Sequence, residues 1–204
     1  MAQRKEAKDS LDLFPTPPWA TRALCERLAA DDPDLKTKTF WEPACGNGDM
    51  LKVLWEYFGA GIGSDVYAHK AGTVTHDFLM PSEPLCRPHW IITNPPFRLA
   101  EQFIERSFGL ATIGVAMLVR LSFLEGIGRY ERLFSKNPPT IAQFTERVTM
   151  VKGRLDESGG SATAYCWLVW NKDFPPIAPA VGLFGWIPPC RKRLERAADY
   201  VVTA

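Results

Sequence analysis

Five residues in the middle of the chain, Thr93-Asn94-Pro95-Pro96-Phe97, carry the clearest chemistry. They close an apolar run, 90–93, that reads as a buried strand. Two consecutive prolines abolish two backbone donors and stiffen the turn, while their carbonyls stay free to accept hydrogen bonds. With the Asn94 amide oxygen, two acceptors converge beside the aromatic face of Phe97. This suits a planar amine, such as the amino group of a nucleobase; a purely structural turn is the plainer alternative.

A second constellation is Glu42-Pro43-Ala44-Cys45-Gly46-Asn47-Gly48. Its glycines let the backbone approach a ligand, and a helix begins just after them with free N–H groups. A dinucleotide fingerprint wants a third glycine where Leu51 stands, and no Lys-Ser or Lys-Thr pair follows as a phosphate loop requires. The segment is a ligand cradle or a simple turn. Asp65 ends the next strand candidate, where a carboxylate accepts hydrogen bonds from both ribose hydroxyls of a bound nucleoside, or caps the following helix. Asp77-Phe78 could hold an adenine, the carboxylate on its exocyclic amine and the ring against the base. A turn aspartate and a core phenylalanine explain the pair equally well.

The elements that must position these residues follow from periodicity and breakers. Thr16 can cap a helix that opens on Pro17 and Pro18 and runs to about Ala30. A strand over 39–42 leads into the glycine loop, after which Asp49 caps a helix with Leu51, Leu54, Trp55 and Phe58 on one side. Further strands fall at 61–66, 73–76, 90–93 and 114–119, with helices at 99–108 and 126–135 between or after them. The segments 140–151 and 163–170 pair as an antiparallel hairpin. Strands alternating with helices, closed by a hairpin, give an α/β sheet of seven strands, mostly parallel. Ligands bind such sheets at the carboxyl ends of the strands, where Glu42, Asp65, Asp77 and Asn94 stand.

Composition sets the outer limits. The chain has 204 residues, 46% hydrophobic and 23% charged, which is ordinary for one globular domain. We expect residues 1–204 to be that single domain, with 1–12 flexible and 172–204 a C-terminal extension. Basic and acidic residues nearly cancel at a net +1, so affinity for nucleic acid has to come from local patches. The longest apolar stretch, 177–187, is broken by Pro179, Gly182 and Gly185, far short of the ~20 residues a membrane helix needs. A charged start without an apolar signal core and five irregularly spaced cysteines point to free thiols in a reducing, cytoplasmic compartment. Cys86 and His89 lack a second pair for a structural metal, and no metal is expected.

Together these motifs resemble the S-adenosylmethionine-dependent DNA adenine-N6 methyltransferases. Phe14-Pro15-Thr16-Pro17-Pro18 resembles their N-terminal cofactor motif, 42–48 their glycine loop, and Asn94-Pro95-Pro96-Phe97 their catalytic tetrapeptide. The order is that of the gamma arrangement, and the likeness covers 14–171. The tetrapeptide is shared with glutamine-N5 protein methyltransferases. The resemblance implies a Rossmann-like methyltransferase sheet and S-adenosylmethionine as cofactor. Thr16, Glu42, Ala44 and Gly46 would surround its methionine part, Phe14 and Asn94 would also bind it, Asp65 would hold its ribose, and Asp77 with Phe78 would lie at its adenine. Asn94 and the Pro95 carbonyl would accept from the target amine, Pro96 would stiffen the turn and Phe97 would stack on the target base.

Adenine's amine feeds its lone pair into the ring, and two acceptors on its hydrogens free that pair for direct attack on the sulfonium methyl. In a duplex the base has to be flipped out first. Gln143-Phe144-Thr145-Glu146-Arg147 resembles more weakly the family's late motif, which would put Phe144 beside the flipped base unless it is a core strand residue. Arg120 and Arg147 could reach phosphates or form surface ion pairs, and so could Arg191-Lys192-Arg193 with Arg196. The expected partner is DNA, read in a very short context or as a single strand. RNA, a protein glutamine amide, or an idle binding module remain alternatives.

Overall fold

The β-branched and aromatic runs assemble into one sheet. A computed structural model describes residues 13–69, 73–81, 83–160, 162–175 and 178–201, so the expected flexibility of 1–12 lies outside the described residues. The strands are β1 Thr39–Glu42, β2 Ala60–Asp65, β3 Val74–Thr75, β4 Trp90–Thr93, β5 Gly114–Arg120, β6 Thr140–Phe144, β7 Tyr165–Asn171 and β8 Phe184–Ile187. They lie in the order β3-β2-β1-β4-β5-β7-β6-β8. Pairing is parallel from β3 across to β5. Within this sheet β7 alone runs against its neighbours, antiparallel to both β5 and β6, and β8 joins β6 in parallel.

The sheet is therefore the expected α/β one, mostly parallel with an antiparallel hairpin near its end, but it has eight strands and not seven. The eighth sits inside the segment expected to be an extension. Gly182 and Gly185 interrupt its apolar pattern, and a four-residue edge strand is too short to show a period of its own. The hairpin also differs. β6 stops at Phe144, and Thr145 closes its ladder with β8 by donating both its N–H and its hydroxyl to the Ile187 carbonyl. Val148, Thr149 and Met150 are buried off the sheet.

One face of the sheet carries α1 (Pro18–Asp31) and α2 (Asp49–Tyr57), where Trp19, Leu24, Leu28, Val53 and Leu54 pack with Phe40, Trp90 and Trp167. The other carries α3 (Ala100–Leu110), whose Phe103 and Ile104 meet Trp41, Phe78, Ile91 and Met117. Each large apolar side chain so buried contributes about 1.5–3 kcal/mol. After β5, α4 (Ile127–Arg129) runs straight into a π-helical turn at Tyr130–Phe134 in place of one regular helix.

Three local expectations are corrected. Pro17, not Thr16, flanks α1, and no side chain caps that helix. Asp49 is the first residue of α2 and not its cap; Gly48, at φ 79°, precedes it. Trp55 is 47% exposed, lying edge-on to Phe40 at 5.4 Å, and the buried face of α2 is Met50, Val53 and Leu54.

The segment after β8 is tied to the body of the fold through α5 (Arg191–Leu194). The guanidinium of Arg22, with only 4% of the side chain exposed, donates to the Leu194 carbonyl at 2.9 Å and to Asp199 at 2.8 Å, and it also pairs with Glu56 at 2.8 Å. Burial opposes this charge, but the two carboxylates outweigh it and raise the Arg22 pKa further. Among the described residues no helix is long and apolar enough to cross a membrane.

Candidate functional site

Because β1, β2, β4 and β5 are parallel, their carboxyl ends share one edge of the sheet, which gathers Glu42, Asp65, Asn94 and Arg120. Asn94 stands just beyond β4. Its Nδ2 donates to the Phe14 carbonyl at 3.0 Å and to the Thr16 Oγ1 at 3.1 Å, with the Met150 sulfur at 3.7 Å. A carbonyl can only accept, so the nitrogen must face Phe14 and the amide cannot be turned over. The Asn94 oxygen is left buried and without a partner. A buried acceptor in that state costs free energy unless a ligand donor meets it. Pro95 is buried beside it, and Pro96 and Phe97 are half-buried.

Glu42 ends β1 and is 2% exposed, its Oε2 also without a partner. Burial, reinforced by the nearby Asp49 and Asp65 carboxylates, pushes its carboxyl well above the usual range. A cation brought beside Glu42 would offset the repulsion from the two neighbouring carboxylates. Between them the chain turns through Gly46 at φ 49°, a conformation that favours glycine, and a Cβ there would come within 2.7 Å of Leu13. The Gly46 N–H donates to Asp65 Oδ2 at 2.9 Å, so the strand-end carboxylate shapes the loop as well as facing the site. Asp65 Oδ1 takes the Tyr67 N–H at 3.1 Å and has the His69 Nε2 at 3.5 Å. Ala44 is half-buried against the second core cluster.

Phe97 has its ring 5.1 Å from that of Phe14, and the Arg120 guanidinium lies over it at 3.5 Å from the centroid. Below them opens a cavity of about 190 Å³ whose wall includes Pro95, Phe97, Arg120, Ser122, Phe123 and Arg129. Ser122 and Phe123 carried no signal in the sequence, since the loop after β5 has neither motif nor period, and Arg129 stood in a segment that read only as a helix.

Several expected site residues do not reach this edge as ligand-facing side chains. Phe78 is 1% exposed, wedged between Trp41 at 5.1 Å and Phe103 at 4.9 Å, so its ring is core and cannot lie on a cofactor base. Asp77 differs from these: two residues past β3, which runs parallel to β2, it is exposed at this edge and accepts the Leu79 N–H at 2.9 Å. Phe144 is 4% exposed and packs edge-on to Trp19 at 5.6 Å, which makes it the core strand residue. Arg147 is exposed and donates to the Ala162 carbonyl. The basic cluster is largely neutralised within the chain: Arg191 pairs with Glu195, Arg193 with Glu26 and Arg196 with Glu56.

No family model matches the chain, and no curated protein matches it in sequence. Solved structures do match. A candidate class I S-adenosylmethionine-dependent methyltransferase from Listeria monocytogenes superposes with a TM-score of 0.62 at 14% identity, over 87% of this chain and 67% of its own. The chain has the Rossmann-like methyltransferase fold. A modification subunit of a candidate type I restriction enzyme from Vibrio vulnificus gives 0.61 at 17% identity over 96% of this chain, which spans 51% of that subunit. A candidate RNA methyltransferase from Pyrococcus horikoshii gives 0.54 at 15% identity, over 82% of this chain and 91% of its own. In this methyltransferase fold the unpartnered atoms of Glu42 and Asn94 stand at the carboxyl edge of the sheet, where open α/β sheets bind ligands.

Proposed function

We propose that the chain is an S-adenosylmethionine-dependent methyltransferase acting on the N6 amine of adenine in DNA. The observation that carries this reading is Asn94, whose amide is locked by Phe14 and Thr16 so that its oxygen stays open beside Pro95. The residues fit the cofactor. Glu42, a buried carboxyl lacking a partner between Asp49 and Asp65, suits the methionyl ammonium. Phe14, Thr16, Ala44 and Gly46 line the same end, Asp65 serves the ribose, and Asp77 stands on the adenine side. When bound, S-adenosylmethionine supplies an electrophilic methyl group.

Asn94 and the Pro95 carbonyl accept the two hydrogens of the target amine. Two acceptors favour a pyramidal nitrogen and release the lone pair that the purine ring otherwise withdraws. Positioning and fixed dipoles supply this effect without a strong base. Phe97 stacks on the base, which must leave a duplex at a cost of a few kcal/mol or come from a single strand. The likeness to a restriction-system modification subunit favours DNA, and the likeness to a candidate RNA methyltransferase keeps RNA as the second reading. Transfer of labelled methyl to DNA, RNA and protein in parallel, with the modified nucleoside identified, tests it. N6-methyladenine in DNA is the expected product; label confined to protein sinks the proposal.

A further inference from the structure

We propose that the cavity beside the catalytic turn is an anion site for the phosphate of the target nucleotide, held by Arg120 and Arg129. This rests on the reading of the chain as a nucleobase methyltransferase and deepens it, because a phosphate site selects nucleic acid over a protein amide. The cavity holds two guanidinium groups and no carboxylate among its lining residues. The Nε–H of Arg120 and that of Arg129 are both buried without an acceptor. Arg129 is fixed in place: it lies over the Phe123 ring at 4.1 Å, and its Nη1 donates to the carbonyls of Phe123 and Glu125 at 2.6 Å each. Two half-buried guanidinium groups that share one space, each with an Nε–H to spare, are matched by an anion with several acceptor oxygens.

Arg120 adds a second element. Its guanidinium covers the face of Phe97 at 3.5 Å, which is stacking contact. A base that takes this face displaces the guanidinium, and the phosphate of the same nucleotide is the charge that compensates the loss. A glutamine side chain brings no such charge, so it has nothing to exchange for the cation–π interaction. Arg120 thereby becomes a specificity-determining residue that holds the stacking face until a nucleotide arrives.

Binding of a labelled single-stranded oligonucleotide carrying one adenine, followed by anisotropy over a range of salt, tests the site. Loss of a charge-assisted bond in R120Q or R129Q should weaken binding about tenfold. The slope of log affinity against log salt should fall by about 0.7 for each arginine–phosphate pair removed from a single strand. Since Arg129 also braces its own loop, Ser122→Glu gives an independent arm: a carboxylate on the cavity wall should weaken binding while S122Q does not. A neutral methylphosphonate beside the adenine should reproduce the loss in the unaltered chain and add little in R120Q. Unchanged affinity and slope in folded R120Q, R129Q and S122E overturn the phosphate site, even if the unaltered chain methylates DNA. Arginine-dependent binding by a chain that methylates no nucleic acid would leave the site standing and overturn the enzymatic reading instead.

Discussion

The amide nitrogen of Asn94 and the hydroxyl of Thr16 stand 3.1 Å apart, across 78 residues of chain. On the proposed mechanism, Thr16 is a positioning residue for the Asn94 amide. Thr16→Val should lower kcat by roughly three- to tenfold, the worth of one hydrogen bond, with little change in KM for the cofactor. Thr16→Ser should restore turnover. Steady-state methyl transfer measures both, and a T16V variant with normal kcat would remove Thr16 from this role.

Glu42 makes the fold sensitive to pH in an unusual direction. Burial, then Asp49 and Asp65, raise its carboxyl above the ordinary 4.5, so the folded chain binds that proton more tightly than the unfolded chain does. The stability it contributes is full below about pH 4.5 and is lost as pH rises towards the elevated folded value. Glu42→Gln should gain on the unaltered, cofactor-free protein in Tm as pH climbs from 5 to 7, roughly 2–4 °C for each kcal/mol recovered. Calorimetric melting of both across that range decides it; parallel profiles refute it.

Asp65 joins two tasks that one substitution can expose. Asp65→Ala removes the acceptor for the proposed ribose hydroxyls, about 1.5–3 kcal/mol of affinity, and leaves the Gly46 N–H without its partner. Calorimetry with S-adenosylhomocysteine should show weaker binding, and urea melts of the unliganded chain should show a stability loss of about 1 kcal/mol. A folded D65A that binds normally would take Asp65 out of the site.

Arg22 is the fourth test. Arg22→Met removes the guanidinium from Asp199, whose side chain is 7% exposed and keeps the Arg196 N–H, and should destabilise by about 3 kcal/mol in urea unfolding. Burial tends to raise the Glu56 carboxyl, but Arg22 overcomes it and lowers the pKa, so Glu56 contributes stability above about pH 4.5 that is lost as pH falls. R22M should flatten that acid limb. Loss of less than ~1 kcal/mol would mean that the charges are hydrated in solution.

Much of this was legible in the residues themselves. The strands 39–42 and 90–93 appear with the bounds their patterns gave, because buried central strands are apolar on both faces and end at prolines. Asn94, Glu42 and Asp65 were readable because a polar residue after such a run stands at a strand end. Phe78 and Phe144 were not, since an aromatic side chain suits a ligand site and a core equally well and only the packing of Trp41, Phe103 and Trp19 decides. The basic residues near 191–196 misled for a different reason: their carboxylate partners Glu26 and Glu56 lie more than a hundred residues away in sequence.

The link between Arg22 and Asp199 spans 177 residues, and β8 closes on β6 only after β7 has been laid between β5 and β6. During synthesis the first helix therefore leaves the ribosome long before the carboxylate that neutralises its buried arginine. Until Asp199 emerges, Arg22 has only Glu56 to pair with, and the β6 edge stays uncovered. A nascent chain halted ahead of β8 thus carries an open sheet edge and an incompletely paired cation, the conditions under which chaperones bind. Completion of the fold is a late event, and a chain stalled before it should be cleared by proteases.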